Sequence, residues 1–227
     1  MLARQLDTHP AVVVQYEDQP MHGQVDRLAI MGASLDEHLP GLVAAYREDA
    51  LRAPDLYVAK NHPALWIAEA LAAAFPRSQF VGIIRNPFAT VASMLDHPGV
   101  LRWIEQWKEL PVPNSFLGIT REIAEGYDQL SLASRCALRW RAHFDELQRL
   151  QASLSHRLLV IDYDSHVADP RPGTDELTDF LALEPRLEPP SFDRARLDRW
   201  RTRLDSSEIA DVGAIVGDEL PPAHSPA

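Results

Sequence analysis

The 227-residue sequence predicts an α/β domain built on a mainly parallel sheet. Three observations carry that expectation. Four short runs rich in β-branched residues are bounded by turn or charged residues, as buried strands are. Helical patterns lie between them, and alternating strands and helices favour parallel pairing through crossovers. With 46% apolar residues, the chain is also long enough to bury one core.

Residues 11–16 (AVVVQY) read as the first strand and 55–59 (DLYVA) as the second. The segment 63–75 (PALWIAEALAAAF) is helical and apolar nearly all round, so it should be sandwiched between other elements. Residues 79–84 (QFVGII) form the third strand and run into a helix over 87–96. A long amphipathic helix follows over 131–154, with Leu138, Phe144, Leu147 and Leu150 among its inward residues. The fourth strand is 158–163 (LLVIDY). Residues 1–220 read as a single domain, and 221–227 (PPAHSPA) as a disordered tail.

Composition excludes several functions. The formal net charge is −11, and the densest basic stretch, Arg194 to Arg203, is broken by Asp193, Asp198 and Asp205. It reads mainly as a solvated helix face, which argues against nucleic acid as a partner. Only Lys60 and Lys108 are lysines among 22 basic residues, a bias typical of high-GC bacterial genomes. The single cysteine, Cys136, lies in an apolar helical pattern and reads as a buried thiol rather than a nucleophile. The nine histidines include no HxH, HxxH or HxxxH pair, so no metal site is expected. Gly32-Ala33-Ser34 lacks the second glycine of a hydrolase nucleophile elbow. Without a secretory pattern at the start or a run long enough to span a bilayer, a cytoplasmic enzyme or binding protein is expected.

The glycines are more informative. There are ten, and no two are closer than the four residues that separate Gly213 from Gly217. That spacing excludes GxGxxG and GxxxxGK[ST] within the chain as given.

Chemistry concentrates in residues 79–95 (QFVGIIRNPFATVASML). A buried strand meets Arg85, then Asn86, a strong N-cap type, then Pro87, which is favoured at the first helical position. Ser93 follows Asn86 by about two helical turns and shares its face. Arg85 and Ser93 can therefore meet one anion at a strand's carboxyl end, where open α/β sheets bind ligands. Taken alone, Arg-Asn-Pro after a strand is also simply a helix start.

Strand, Arg85-Asn86-Pro87 and then Ser93 resemble the 3′-phosphate-binding segment of bacterial-type sulfotransferases that use 3′-phosphoadenylyl sulfate (PAPS). Upstream, YVAKNHP (57–63) is similar to that family's strand ending in Lys-x-His. Downstream, 158–184 resembles its Tyr-Glu-Asp-Leu to Phe-Leu-Gly-Leu stretch, and 199–220 its closing helices. The resemblance implies a P-loop-NTPase-like three-layer domain. MLARQLDTHPAVVV resembles the helix after the family's 5′-phosphosulfate loop, so the first strand and that loop are expected to be missing from residues 1–227. Such a sheet would carry a gap or an exposed edge.

The resemblance further implies PAPS as co-substrate, no metal, and sulfuryl transfer to a hydroxyl or amine of a small-molecule or carbohydrate acceptor. His62 would be the base and Lys60 the cation on the departing phosphate side, with Arg85 and Ser93 binding the 3′-phosphate. Against these roles stand a turn histidine, a surface lysine and a helix serine bonded to its own backbone. Arg201 and Arg203 read mainly as solvated, and Tyr163 and Asp164 as braces at the sheet's edge. Trp103, Trp107 and Trp140 read mainly as core, with an acceptor pocket as the alternative; that pocket is expected from roughly residues 97–130, the variable insertion of α/β enzymes whose sites sit on loops. Two rivals stay open: a non-catalytic remnant that binds adenosine 3′,5′-bisphosphate or serves as an interaction module, and another P-loop-like transferase such as a small-molecule kinase.

Overall fold

The structure, a computed structural model, describes residues 1–217; the tail expected over 221–227 lies outside the described residues. Four strands form where β-branched residues cluster: β1 (Val12–Gln15), β2 (Leu56–Ala59), β3 (Phe80–Ile84) and β4 (Leu158–Asp162). All pairing between them is parallel. β1 pairs with β2, Val12 opposite Leu56, and β3 pairs with β4, Phe80 opposite Leu158.

The single sheet expected from the sequence is divided. Among the described residues no ladder joins β1–β2 to β3–β4, so there are two two-stranded sheets. A pair of strands is marginal by itself and needs an apolar face covered. Here both pairs share one layer. Val12, Val14, Leu56, Val58, Val81, Leu159 and Ile161 point to one side, against Leu2, Leu6 and Leu177 of two helices. Tyr57, Phe80 and Leu158, of opposite parity, point to the other side and meet a second set of helices. The result is three layers, with side-chain packing rather than hydrogen bonds holding the middle one together.

The helices follow the chain. α1 (Leu2–Leu6) precedes β1, and α2 (Met21–Ala29) and α3 (Leu35–Arg52) form the crossover to β2. After β2 a 3-10 turn (His62–Ile67) opens into α4 (Ala68–Ala74). The helix expected over 63–75 is thus regular only from Ala68; tight 3-10 turns are common at such starts, and Pro63 has no N–H to give. It is sandwiched as its composition demands, with Ile67 and Leu71 against α2 and α3, and Ala68 and Ala72 against Leu150 and Leu154.

Between β3 and β4 run α5 (Pro87–Met94), α6 (Pro98–Glu105), α7 (Arg121–Gly126) and α8 (Leu132–Leu154). α8 is capped by Ser131, whose side chain accepts from the Ser134 amide. It buries Cys136, Ala137, Trp140, Phe144, Leu147, Leu150 and Leu154 along one stripe, while Leu138 is only partly buried. Each large side chain of the stripe contributes about 2 kcal/mol by leaving water. β3 lies so close to this helix that a Cβ on Gly82 would stand 2.6 Å from Leu147 Cδ1. α9 (Tyr163–Ala168), α10 (Pro170–Leu181) and α11 (Ser206–Val216) complete the described chain.

Candidate anion pocket and histidine pair

β3 delivers Arg85 at its carboxyl end, and the turn into α5 is fixed by its own residues. The Asn86 side chain accepts from the Ala89 amide at 3.1 Å, and Pro87 occupies the first turn. The β3–β4 register sets Ile84 opposite Asp162, so Arg85 and Tyr163 emerge side by side. The Arg85 guanidinium lies 4.5 Å over the Tyr163 ring. The Asn86 amide donates to Asp164 Oδ2 at 2.7 Å, so Tyr163 and Asp164 do brace this turn. Arg85 Nε is buried with no hydrogen-bond partner among the described residues.

Beside Arg85 lies a pocket of about 450 Å³. Ala89, Ala92 and Ser93 of α5 line it together with Arg85 and Tyr163, so the structure brings Arg85 and Ser93 to one cavity. Arg196, Arg199, Trp200 and Arg203 approach from the C-terminal segment. The arginine run is solvated, as expected, but it is not one helix face. It folds into two short 3-10 turns, Arg194–Arg196 and Arg199–Thr202, and Arg196 and Arg199, one from each, both line the pocket. Trp200 anchors it by stacking on Phe88 of α5, with ring centroids 5.0 Å apart. Arg201 remains outside the pocket, paired with Asp198 at 2.9 Å and lying 4.4 Å over the Trp200 ring.

Within the pocket the cations are not equally available. Arg199 pairs with Asp193 at 2.7 Å, and Arg203 pairs with Asp96, itself a wall residue. Arg85 and Arg196 form no ion pair among the described residues. Four guanidinium groups and a hydroxyl, with the Asp96 carboxylate beside them, surround a space large enough for a phosphate-sized group.

β2 ends at Lys60 and His62, and their geometry differs from that of two free catalytic groups. Lys60 Nζ is 2.7 Å from Glu17 Oε1, and the same oxygen accepts from the His62 amide at 3.0 Å. Burial raises the Glu17 carboxyl, but Lys60 and the His62 amide outweigh it and hold the group below its usual range. The His62 ring stacks on that of His143 of α8, centroids 5.0 Å apart and planes within 7°. Crowding by neighbouring atoms, then the charge of Arg139, pushes His62 below the usual histidine value. The residue still keeps over a third of its surface in solvent, so charging it costs less than in a sealed site.

α8 connects the two halves. Trp140 Nε1 donates to the Arg85 carbonyl oxygen at 3.2 Å, and His143, one turn on, carries the stack with His62. Glu17, His143 and Arg196 were not signalled by any motif. Trp107 and Trp140 are buried in the core, and Trp103 packs on it. Besides Trp200 in the first pocket, Trp66 lines a second cavity of about 220 Å³, which takes Pro111, Pro113, Asn114 and Ser115 from the segment expected to shape an acceptor pocket. Cys136 is fully buried and its thiol is pushed up to about 12 by burial, so it is no nucleophile at neutral pH. Among the described residues no group of three or more His, Cys, Asp or Glu side chains could hold a metal, and no helix is long and apolar enough to cross a membrane.

No family model and no curated protein matches the chain by sequence. Solved structures do match by shape. The chain superposes on the sulfotransferase domain from the curacin biosynthetic pathway with a TM-score of 0.53 at 15% identity, covering 97% of this chain and 85% of that one. A sulfotransferase from Alicyclobacillus acidocaldarius gives 0.50 at 16% identity, covering 95% and 89%. The sulfotransferase domain of the Synechococcus PCC 7002 olefin synthase gives 0.50 at 14% identity, covering 86% and 74%. With its three layers, parallel strands and basic pocket at the strand ends, the chain has the P-loop-like fold of bacterial sulfotransferase domains.

Proposed function

We propose that this protein binds PAPS and transfers its sulfuryl group to a hydroxyl or amine of a small-molecule or carbohydrate acceptor. One observation carries the reading: Arg85, Ser93, Arg196, Arg199 and Arg203 converge on a single pocket in a chain whose net charge is −11. A protein this acidic gathers four arginines around one cavity to hold an anion. Arg85 lines the pocket and forms no ion pair among the described residues, which leaves its guanidinium charge for a phosphate oxygen and fits the 3′-phosphate of the nucleotide.

In the transfer, the bond between sulfur and the bridging phosphosulfate oxygen breaks as a bond from sulfur to the acceptor oxygen or nitrogen forms. The acceptor's proton passes to His62, and adenosine 3′,5′-bisphosphate leaves with the electron pair. His62 is uncharged and able to accept at neutral pH, while its depressed pKa makes it a weaker base than an ordinary histidine. Lys60, held by Glu17, reaches the leaving oxygen only after that ion pair opens.

Titration calorimetry of the protein with adenosine 3′,5′-bisphosphate and with ATP tests the assignment. A preference for the 3′-phosphorylated nucleotide of about tenfold or more, near 1.4 kcal/mol, is expected. Equal affinity for both nucleotides removes Arg85 and Ser93 from the role. Incubation with radiolabelled PAPS and a panel of alcohols, amines and sugars then separates the enzyme from a protein that only binds.

A further inference from the structure

The transfer above uses one imidazole, and the structure places a second in contact with it. The His143 ring lies parallel to that of His62, and its Nδ1 is 2.7 Å from the Arg139 carbonyl oxygen one turn back on α8. A carbonyl only accepts, so Nδ1 carries the proton and Nε2 is left as a bare lone pair. That Nε2 is buried and meets no donor among the described residues. Trp66 stands edge-on to the ring at 5.2 Å and Phe116 at 5.4 Å. His143 is thus fixed in tautomer by one hydrogen bond and in orientation by aromatic walls, and the face it has left is turned to His62.

We propose that His143 is a positioning residue for His62: the stack sets the plane of the His62 ring and keeps that ring from turning out into solvent. The inference rests on His62 being the base, yet its test reads His62 itself and needs no turnover. Among the described residues the ring contacts of His62 are the stack on His143 and, at 6.0 Å, an edge contact with Phe116, on a residue that is otherwise exposed.

The charges around it explain why the held position matters. Arg139 faces it from α8, His22 from α2, and Lys60 and Glu17 from the segments after β2 and β1. Arg139 is buried, with Nη1 3.7 Å from the Met94 sulfur and its guanidinium 4.6 Å over Phe116, and it forms no ion pair among the described residues. Its uncompensated charge disfavours a second cation nearby. Lys60 and His22 act in the same direction, and Glu17 alone opposes them. A His62 ring released from His143 would turn toward solvent, away from Arg139, and charge more readily.

Proton NMR titration of the imidazole signals tests this, with His62 assigned by its loss in His62→Gln. In the wild type and in His143→Phe, which keeps a flat ring beneath the stack, His62 should titrate below the ordinary histidine midpoint. In His143→Ala the midpoint should rise toward the ordinary value. An unchanged midpoint in a folded His143→Ala overturns the proposal. Should that variant not fold, a His143→Phe midpoint displaced to the ordinary value overturns it equally, as does an ordinary midpoint in the wild type. Loss of PAPS binding would instead count against the functional reading and leave this titration intact.

Discussion

Trp140 and Arg85 are joined by a hydrogen bond from the indole Nε1 to the backbone carbonyl oxygen, 3.2 Å long, which fixes the strand end carrying the pocket's central guanidinium. The indole also stacks on Phe144 at 5.0 Å, so a phenylalanine in its place keeps the ring contact and loses the bond. Trp140→Phe should lower stability by about 1 kcal/mol in chemical denaturation, the usual contribution of one such bond. It should weaken adenosine 3′,5′-bisphosphate binding only a few-fold, because the carbonyl's partner and not the guanidinium is lost.

Removing the guanidinium itself is more severe. Arg85→Ala should reduce affinity for the bisphosphate by about tenfold or more, since a charge-assisted bond is worth roughly 1.5–3 kcal/mol. Ser93→Ala, which removes a neutral hydroxyl, should cost about threefold on the same scale. Calorimetric titration of both variants measures the ratio, and an Arg85→Ala affinity equal to wild type would remove Arg85 from the site.

Asp96 should act as a brake on anion binding. It pairs with Arg203 at the wall of the pocket, so an incoming phosphate must compete with a resident carboxylate. Asp96→Asn should raise affinity a few-fold and steepen its dependence on salt, because a freed cation gains more from the ligand at low ionic strength.

His62→Ala should abolish turnover while bisphosphate affinity stays near wild type, because the base touches the acceptor's proton and not the nucleotide's 3′ end. The pH profile of the wild type follows the uncharged form of His62. Turnover should rise as pH passes upward through its depressed pKa and be flat around neutrality. A parallel fall in nucleotide affinity in His62→Ala would make the residue structural.

Acid should destabilise the fold early. Burial holds His143 well below its ordinary value of 6.5, and burial also lowers His166. Unfolded, both bind protons near 6.5; folded, each binds less readily, so the unfolded state holds more protons just below that pH. Stability is therefore full above about 6.5 and falls as pH drops below it. Denaturation midpoints measured across that range should show the loss, and His143→Phe should remove part of it.

The elements of this fold were legible where the signal is local. Valine and isoleucine runs mark the strands within a residue or so, and Asn86-Pro87 marks the start of α5 because the cap is made by adjacent residues. The meeting of Arg85 and Ser93 followed from helical spacing alone. The placement of the arginine run was illegible because it depends on Phe88 and Asp96, far upstream, which stack with Trp200 and pair with the exposed Arg203 at the pocket's wall. His143 and Glu17 were illegible for the same reason: each acquires its meaning only from a residue brought near by folding. The division of the sheet accords with the gap or exposed edge expected from the sequence, while its exact place is a property of pairing, to which a strand's own composition is blind.

That division has a mechanical consequence. With no backbone ladder between the two strand pairs among the described residues, the alignment of the anion pocket with the histidine is gauged by a stretch of α8 from Trp140 to His143, a rise of about 4.5 Å. An extra residue inserted between them would rotate one contact about 100° from the other. Each half could keep its own shape while the two lost their common register, so the site behaves as two parts indexed by one turn of helix.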